Sequence, residues 1–130
     1  QSEIDALNTE LYDAHTNLES AHRDLYVAKE AQKVAEMINC QGVVTQGDVW
    51  VDDRMLRPGY GQLNAELLEA IRLTARYEGM LLDPTYSGKS MAGLIHLVTS
   101  GHFQRDQTVV FLHTGGTPAL FGYPEILELQ

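Results

Sequence analysis

Basic residues are scarce: nine Lys and Arg stand against 18 Asp and Glu, for a formal net charge of −9. Nucleic acid and anionic membranes are held by basic faces, so the chain reads as a partner of neither. The acidity is spread along the chain rather than gathered in a tail, and reads as solubility. Cysteine is nearly missing too. Cys40 stands alone, which excludes a disulfide within the chain and makes a reducing cytoplasm the simplest setting. Cys40 itself reads as a small apolar filler near a helix end. No apolar run approaches a membrane span, and no basic-then-apolar leader opens the chain. There is no internal repeat and no low-complexity tract. What remains is 130 residues, 44% apolar and 21% charged, the size and balance of one globular domain. A domain of that length buries roughly two thirds of the surface its unfolded chain exposes.

Glycine and proline are absent from Gln1 to Gln41, and the stretch reads as one long helix from residue 3 to about 39. Ile4, Leu7, Leu11, Ala14, Leu18, Ala21, Leu25 and Ala28 fall on alternating steps of three and four. That is a heptad seam with large residues at one position and mostly alanine at the other. Beyond Ala28 the stripe shifts to Ala31, Val34, Ala35 and Ile38, as for packing on a globular body. Two readings stay open: a helix lying on its own domain, or one that pairs with another helix, in this chain or in a partner such as a second copy in a homo-oligomer. His15 and His22 share a face two turns apart and read as surface histidines, with no metal.

From Gly42 the pattern changes. "DVWVDD" alternates as a short strand does. "RPGYG", Arg57 to Gly61, is a loop. Asn64 is placed to cap a helix from Ala65 to about Glu78, with Leu67, Leu68, Ile71 and Ala75 inward and Gly79 as its stop. Met80 to Leu82 reads as a buried strand and "DPTYSGKS" as a loop. A further helix presents Met91, Leu94, Ile95 and Val98 and ends at Gly101. Thr108 to Leu112 reads as a third strand, and Pro118 sits where a first helical turn tolerates proline. Strands alternating with helices predict an α/β fold, a small mostly parallel sheet with packed helices, over residues 40–130.

Ligands of open α/β sheets lie beyond the carboxyl ends of the strands. Three loops follow the three expected strands, and each carries a hydroxyl at a small-residue turn: Tyr60, Tyr86 with Ser87, and Thr114. The stretch "VVFLHTGGTPALFGY" thus reads as one wall of a ligand pocket. Thr114 offers a neutral hydroxyl to a ring nitrogen, and Gly115 and Gly116 leave room for a flat ligand. "GKS" at Gly88 to Ser90 invites a phosphate-loop reading, but Asp83 stands where the upstream glycine belongs and Pro84 follows it, so that reading is rejected. Lys89 reads as a surface or anion-facing lysine, and His96 and His113 as structural histidines.

"LLDPTYSGKSMAGLIHLVTSGHF", followed by "VVFLHTGGTPALFGY" and preceded by "VDDRMLRPGYG", resembles the C-terminal part of the D-cysteine desulfhydrase and 1-aminocyclopropane-1-carboxylate deaminase family. These are pyridoxal-phosphate enzymes of the tryptophan-synthase-β-like fold. The resemblance runs from about Ala31 to Tyr123. It implies pyridoxal phosphate as cofactor and a small amino acid as substrate. Thr114 matches the partner of the cofactor's pyridine nitrogen, next to Gly115 and Gly116. Tyr86 matches a substrate-side catalytic tyrosine and Tyr60 a second one over the cofactor. Ser87, on the substrate side, and "HTGG" look more like the desulfhydrases than the deaminases, implying α,β-elimination of D-cysteine to pyruvate, sulfide and ammonia. The family's Schiff-base lysine and phosphate cradle match nothing in these 130 residues. The expectation is a segment that turns nothing over alone. The alternative is a non-catalytic interaction module or chimera that oligomerises through the N-terminal helix.

Overall fold

The computed structural model describes residues 2–127, the side chain of Leu127 apart. Residues 128–130 of the expected α/β segment lie outside the described residues. The chain divides into two compact units, Gln1–Val51 and Asp52–Gln130.

In the first unit α1 spans Ser2–Met37, where the sequence places a helix from residue 3 to about 39. Its end is built by residues no breaker announces. Asn39 takes the left-handed conformation (φ 57°). The Asn39 N–H then donates to the Glu36 carbonyl at 3.1 Å and the Cys40 N–H to the Ala35 carbonyl at 2.7 Å. Those bonds satisfy two carbonyls that the helix would otherwise leave open. The seam residues Ile4, Leu7, Leu11 and Leu18 are exposed, while Ala28 and Ala35 are buried. The His15–Glu19 contact and the Lys33–Glu30 ion pair lie on the surface and add little. The turn after α1 is closed by Asp48, whose carboxylate accepts from the Thr45 hydroxyl and N–H.

The second unit is built on two helices. α2 spans Ala65–Glu78, begins where the Asn64 side chain accepts from Leu67 N–H, and ends at Gly79 with φ 65°. Leu67, Ala70, Ile71 and Thr74 are buried, the i, i+3, i+4, i+7 spacing of a single face. α3 spans Ser87–Thr99 and packs on α2 through Gly88. A methyl group there would stand 2.7 Å from Leu67 Cδ1 and 2.6 Å from the Asp83 carbonyl oxygen, so only glycine permits the approach. Leu82, Met91, Ala92, Leu120 and Ile126 complete the core. Leu120 comes from a 3₁₀ turn, Thr117–Gly122, that carries Pro118 at its start, and Ile126 from α4, Pro124–Leu127. Val98, expected inside, is exposed.

The expected sheet is not there. No β-strand occurs among the described residues. Of the three segments read as strands, Met80–Leu82 and Thr108–Leu112 have no regular secondary structure, and "DVWVDD" opens on the last residue of a 3₁₀ turn, Gln46–Asp48, and is irregular beyond it. The physical reason is that a strand is not a local property. Apolar and β-branched residues favour extended chain, but a strand exists only when a neighbour takes its N–H and C=O groups in a ladder. Val110 and Leu112 are correspondingly 85% and 79% exposed. The fold class is therefore helical in this structure, not α/β.

Burial predicts where mutation is felt. Leu67 is wholly buried and Leu11 is 70% exposed. Leu67→Ala is expected to cost about 2–5 kcal/mol, and Leu11→Ala no more than about 0.5 kcal/mol, by urea unfolding. Equal losses would show that the core lies elsewhere.

Candidate functional site

One buried carboxylate organises the turn that carries Tyr86. Asp83 is 1% exposed. Its Oδ2 accepts the N–H groups of Thr85 at 2.8 Å and Tyr86 at 2.7 Å. Its Oδ1 accepts the Ser87 N–H at 2.8 Å and the Ser87 hydroxyl at 2.5 Å, and the Ser87 oxygen in turn accepts from the Asp83 N–H at 2.9 Å. These N–H groups precede or open α3, where no carbonyl of the helix can reach them. An acidic acceptor at a helix start also meets the positive end of its dipole. Burial pushes the Asp83 carboxyl up. The hydrogen bonds from the Ser87 hydroxyl and from the Ser87, Tyr86 and Thr85 N–H groups together outweigh it, and the carboxyl is held below the usual aspartate range.

The loop that carries Tyr60 is held at its carbonyls. Lys89 Nζ donates to Gly59 O at 2.6 Å and Leu56 O at 3.1 Å. Asn64 Nδ2 donates to Arg57 O at 2.8 Å and the Tyr123 hydroxyl to Gly61 O at 3.1 Å. So held, the Tyr60 and Tyr86 hydroxyls meet at 2.5 Å, their rings edge to face with centroids 5.9 Å apart. The bond to Tyr86 is the main reason the Tyr60 phenol holds its proton above the usual range. Both rings are exposed, Tyr60 at 78% and Tyr86 at 58%. Beside Tyr86 lies a cleft of about 170 Å³, lined by Asp52, Met55, Leu56, Thr85, Lys89 and Ser90. Asp52 on its wall is paired with Arg54 through both carboxylate oxygens at 2.7 Å, and that pairing keeps its carboxyl low.

The His-Thr-Gly-Gly turn is pinned by its histidine. His113 Nδ1 accepts the Gly115 N–H at 3.0 Å, so the ring proton sits on Nε2, which donates to Leu81 O at 3.1 Å. The Thr117 hydroxyl donates to the same carbonyl at 3.0 Å. Gly116 has φ 90°, and a methyl group on it would lie 2.8 Å from the Asp83 carboxyl carbon. Glycine here serves both the conformation and the close approach. Asp83 therefore backs this turn as well as the Tyr86 turn. Thr114 is exposed, and at Gly115 a methyl group would meet nothing within 4 Å.

The structure thus brings Tyr60 and Tyr86 into direct contact and joins the Thr114–Gly116 turn to them through Leu81 and Asp83. Ser87 is buried, its hydroxyl engaged with Asp83. Lys89 departs from the surface or anion-facing position expected of it: it is 5% exposed and bound to two carbonyls. Asp83, Lys89 and Tyr123 are the residues that sequence reasoning missed. A signal for Asp83 was present, an aspartate followed at the second to fourth positions by the residues that open a helix. A larger hollow of about 390 Å³, lined mainly by Ile71, Ala75, Leu81, Leu120 and Ile126 between Arg72 and Arg76, holds none of the three hydroxyls. No group of three metal-ligating side chains occurs among the described residues, and no helix there is long and apolar enough to cross a membrane.

Comparison with known proteins bears on this arrangement. The sequence model of the pyridoxal-phosphate dependent enzymes matches residues 6–115. A 1-aminocyclopropane-1-carboxylate deaminase of Burkholderia ambifaria is 44% identical over 116 residues, covering 89% of this chain and 34% of that protein. The enzyme of that name from Variovorax paradoxus is 45% identical over 97 residues, 75% of this chain and 29% of its own length. A probable deaminase of the same kind from Schizosaccharomyces pombe is 43% identical over 97 residues, again 75% and 29%. The chain belongs to the pyridoxal-phosphate dependent enzyme family. It spans about a third of the length of the curated relatives it matches. The family's cofactor is a flat, charged pyridine. Thr114 is exposed and the space beside Gly115 is open, so no neighbouring group bars the edge of such a ring there.

Asp83 predicts a pH signature. An aspartate ionises at about 3.9 in an unfolded chain. Held lower in the fold, it adds stability that is complete above that value and is lost as pH falls through the folded value. Asp83→Asn is expected to cost about 1–3 kcal/mol at neutral pH and to flatten the acid limb of stability below about pH 4. Urea melts across the acid range check this, and an unchanged acid limb in the variant would contradict it.

Proposed function

We propose that residues 40–130 supply the tyrosine and threonine side of the active site of a pyridoxal-phosphate-dependent lyase acting on a small amino acid, with residues 1–39 as a helical arm. The observation that carries it is the 2.5 Å contact of Tyr60 and Tyr86 on a turn anchored by the carboxylate that also backs Gly116. Thr114, Gly115 and Gly116 would hold the edge of the cofactor. When bound, the cofactor withdraws electrons from the substrate's α-carbon. A hydroxyl partner such as Thr114 brings no charge to the ring nitrogen and so tempers that withdrawal, which suits elimination. The two phenols share one hydrogen bond, which leaves Tyr86 placed to take or return a proton at the substrate. Ser87 acts on the substrate side by fixing the turn that presents Tyr86.

The substrate proposed is D-cysteine, which with one water gives pyruvate, sulfide and ammonia, on the sequence "TYSGKS" and "HTGG". The names of the relatives favour a second reading, deamination of 1-aminocyclopropane-1-carboxylate. Turnover belongs to a family-length protein, so the test is a graft. Residues 52–123 replace the aligned segment of the Burkholderia ambifaria relative, and keto-acid release is followed with each substrate. Pyruvate from D-cysteine is expected, and Tyr86→Phe should lower it about 100-fold or more. Release of 2-oxobutanoate from the cyclopropane substrate alone would select the second reading. A folded graft that binds pyridoxal phosphate and converts neither would overturn both.

The exposed Leu11 and Leu18 on α1 support a helix partner, a second copy of the chain. Light scattering of the Leu11→Asp, Leu18→Asp double variant checks it. An oligomer is expected to fall to monomer, and one that survives argues against the seam.

A further inference from the structure

Lys89 is in an odd place for a lysine. It lies in the first turn of α3, at the positive end of the helix dipole, and it is 5% exposed. A buried ammonium is tolerated only where its protons are taken up. Here two of them go to main-chain carbonyls, Gly59 O at 2.6 Å and Leu56 O at 3.1 Å. Those carbonyls flank Arg57 and Pro58, and Gly59 immediately precedes Tyr60. Tyr86 lies three residues before Lys89, at the mouth of the same helix. We infer that Lys89 is the positioning residue of the tyrosine pair, its ammonium fastening the Tyr60 loop to the helix that carries Tyr86. Its bearing on substrate rests on the function proposed above.

Two other residues hold the loop, Asn64 on Arg57 O and Tyr123 on Gly61 O. Both are neutral donors, and neither belongs to α3. Bonds from a charged donor are roughly twice as strong as neutral ones. Lys89 also differs from them in joining the loop to the element that bears the second tyrosine. A methionine would fill much of the same space and leave both carbonyls without that donor.

The test reads the tyrosines themselves in the 130-residue chain, without cofactor or turnover. Ring-labelled tyrosine NMR follows the Tyr60 resonance as pH is raised. Tyr86→Phe defines the signal of Tyr60 without its partner. In folded Lys89→Met the Tyr60 signal and its titration midpoint are expected to move onto those of Tyr86→Phe, the midpoint falling. A folded Lys89→Met whose Tyr60 titrates as in the wild type overturns the inference. Should that variant fail to fold, the wild-type Lys89 ammonium decides. Slow solvent exchange with through-space contact to Gly59 supports the clamp, and fast exchange with no such contact overturns it. Failure of the graft experiment would leave these readouts untouched, so the two proposals fail separately.

Discussion

The carboxylate of Asp83 holds two turns at once. It takes the N–H groups of Thr85, Tyr86 and Ser87 together with the Ser87 hydroxyl, and its flank fills the space that a side chain at Gly116 would need. Buried charge is costly unless it is fully hydrogen-bonded. Here each oxygen has two donors, all from a stretch of three residues. The carboxylate is therefore a folding constraint before it is anything chemical. With it in place, Tyr86 has a fixed direction and the His113–Gly116 turn has a fixed seat. The chemistry proposed for the tyrosines depends on that geometry more than on any property of a lone phenol.

The helices of the second unit were legible because their signals are local. Asn64 caps α2 and Gly79 ends it, as the sequence suggests, and Leu67 and Ile71 lie inside. The loops at Tyr60 and Thr114 were legible for the same reason, since glycine and proline mark turns wherever they stand, but "DPTYSGKS" was only half a loop: α3 begins within it, at Ser87. The strands were not legible, because a run such as "VVFL" records a preference for extended chain and says nothing of a partner. Val110 stands exposed on a segment without a ladder. The end of α1, placed at about residue 39, lies close to its observed end at Met37, and the residue that turns the chain there is Asn39.

Side-chain direction was the least readable quantity. Lys89 and Ser87 share one helical turn with exposed Ser90, yet both point inward. Composition favours a surface lysine and a solvent-facing serine, but Lys89 is drawn in by two carbonyls from the Tyr60 loop and Ser87 by Asp83. The carbonyls that bind Lys89 lie about thirty positions away in sequence, beyond the reach of any local pattern. Polar residues of this kind are where tertiary structure overrides propensity. They are also what separates a pair of loop tyrosines from a pair held in contact.

Amide hydrogen exchange at Tyr86 and Ser87 probes the Asp83 anchor most directly. These N–H groups precede the helical ladder and have no carbonyl of α3 to bond. If the buried carboxylate holds them, their protection should match that of Ile71 and Thr74 in the core of α2. Exchange at the rate of an open loop, while Ile71 and Thr74 stay protected, would mean that no such anchor exists and that the meeting of Tyr60 with Tyr86 has another cause.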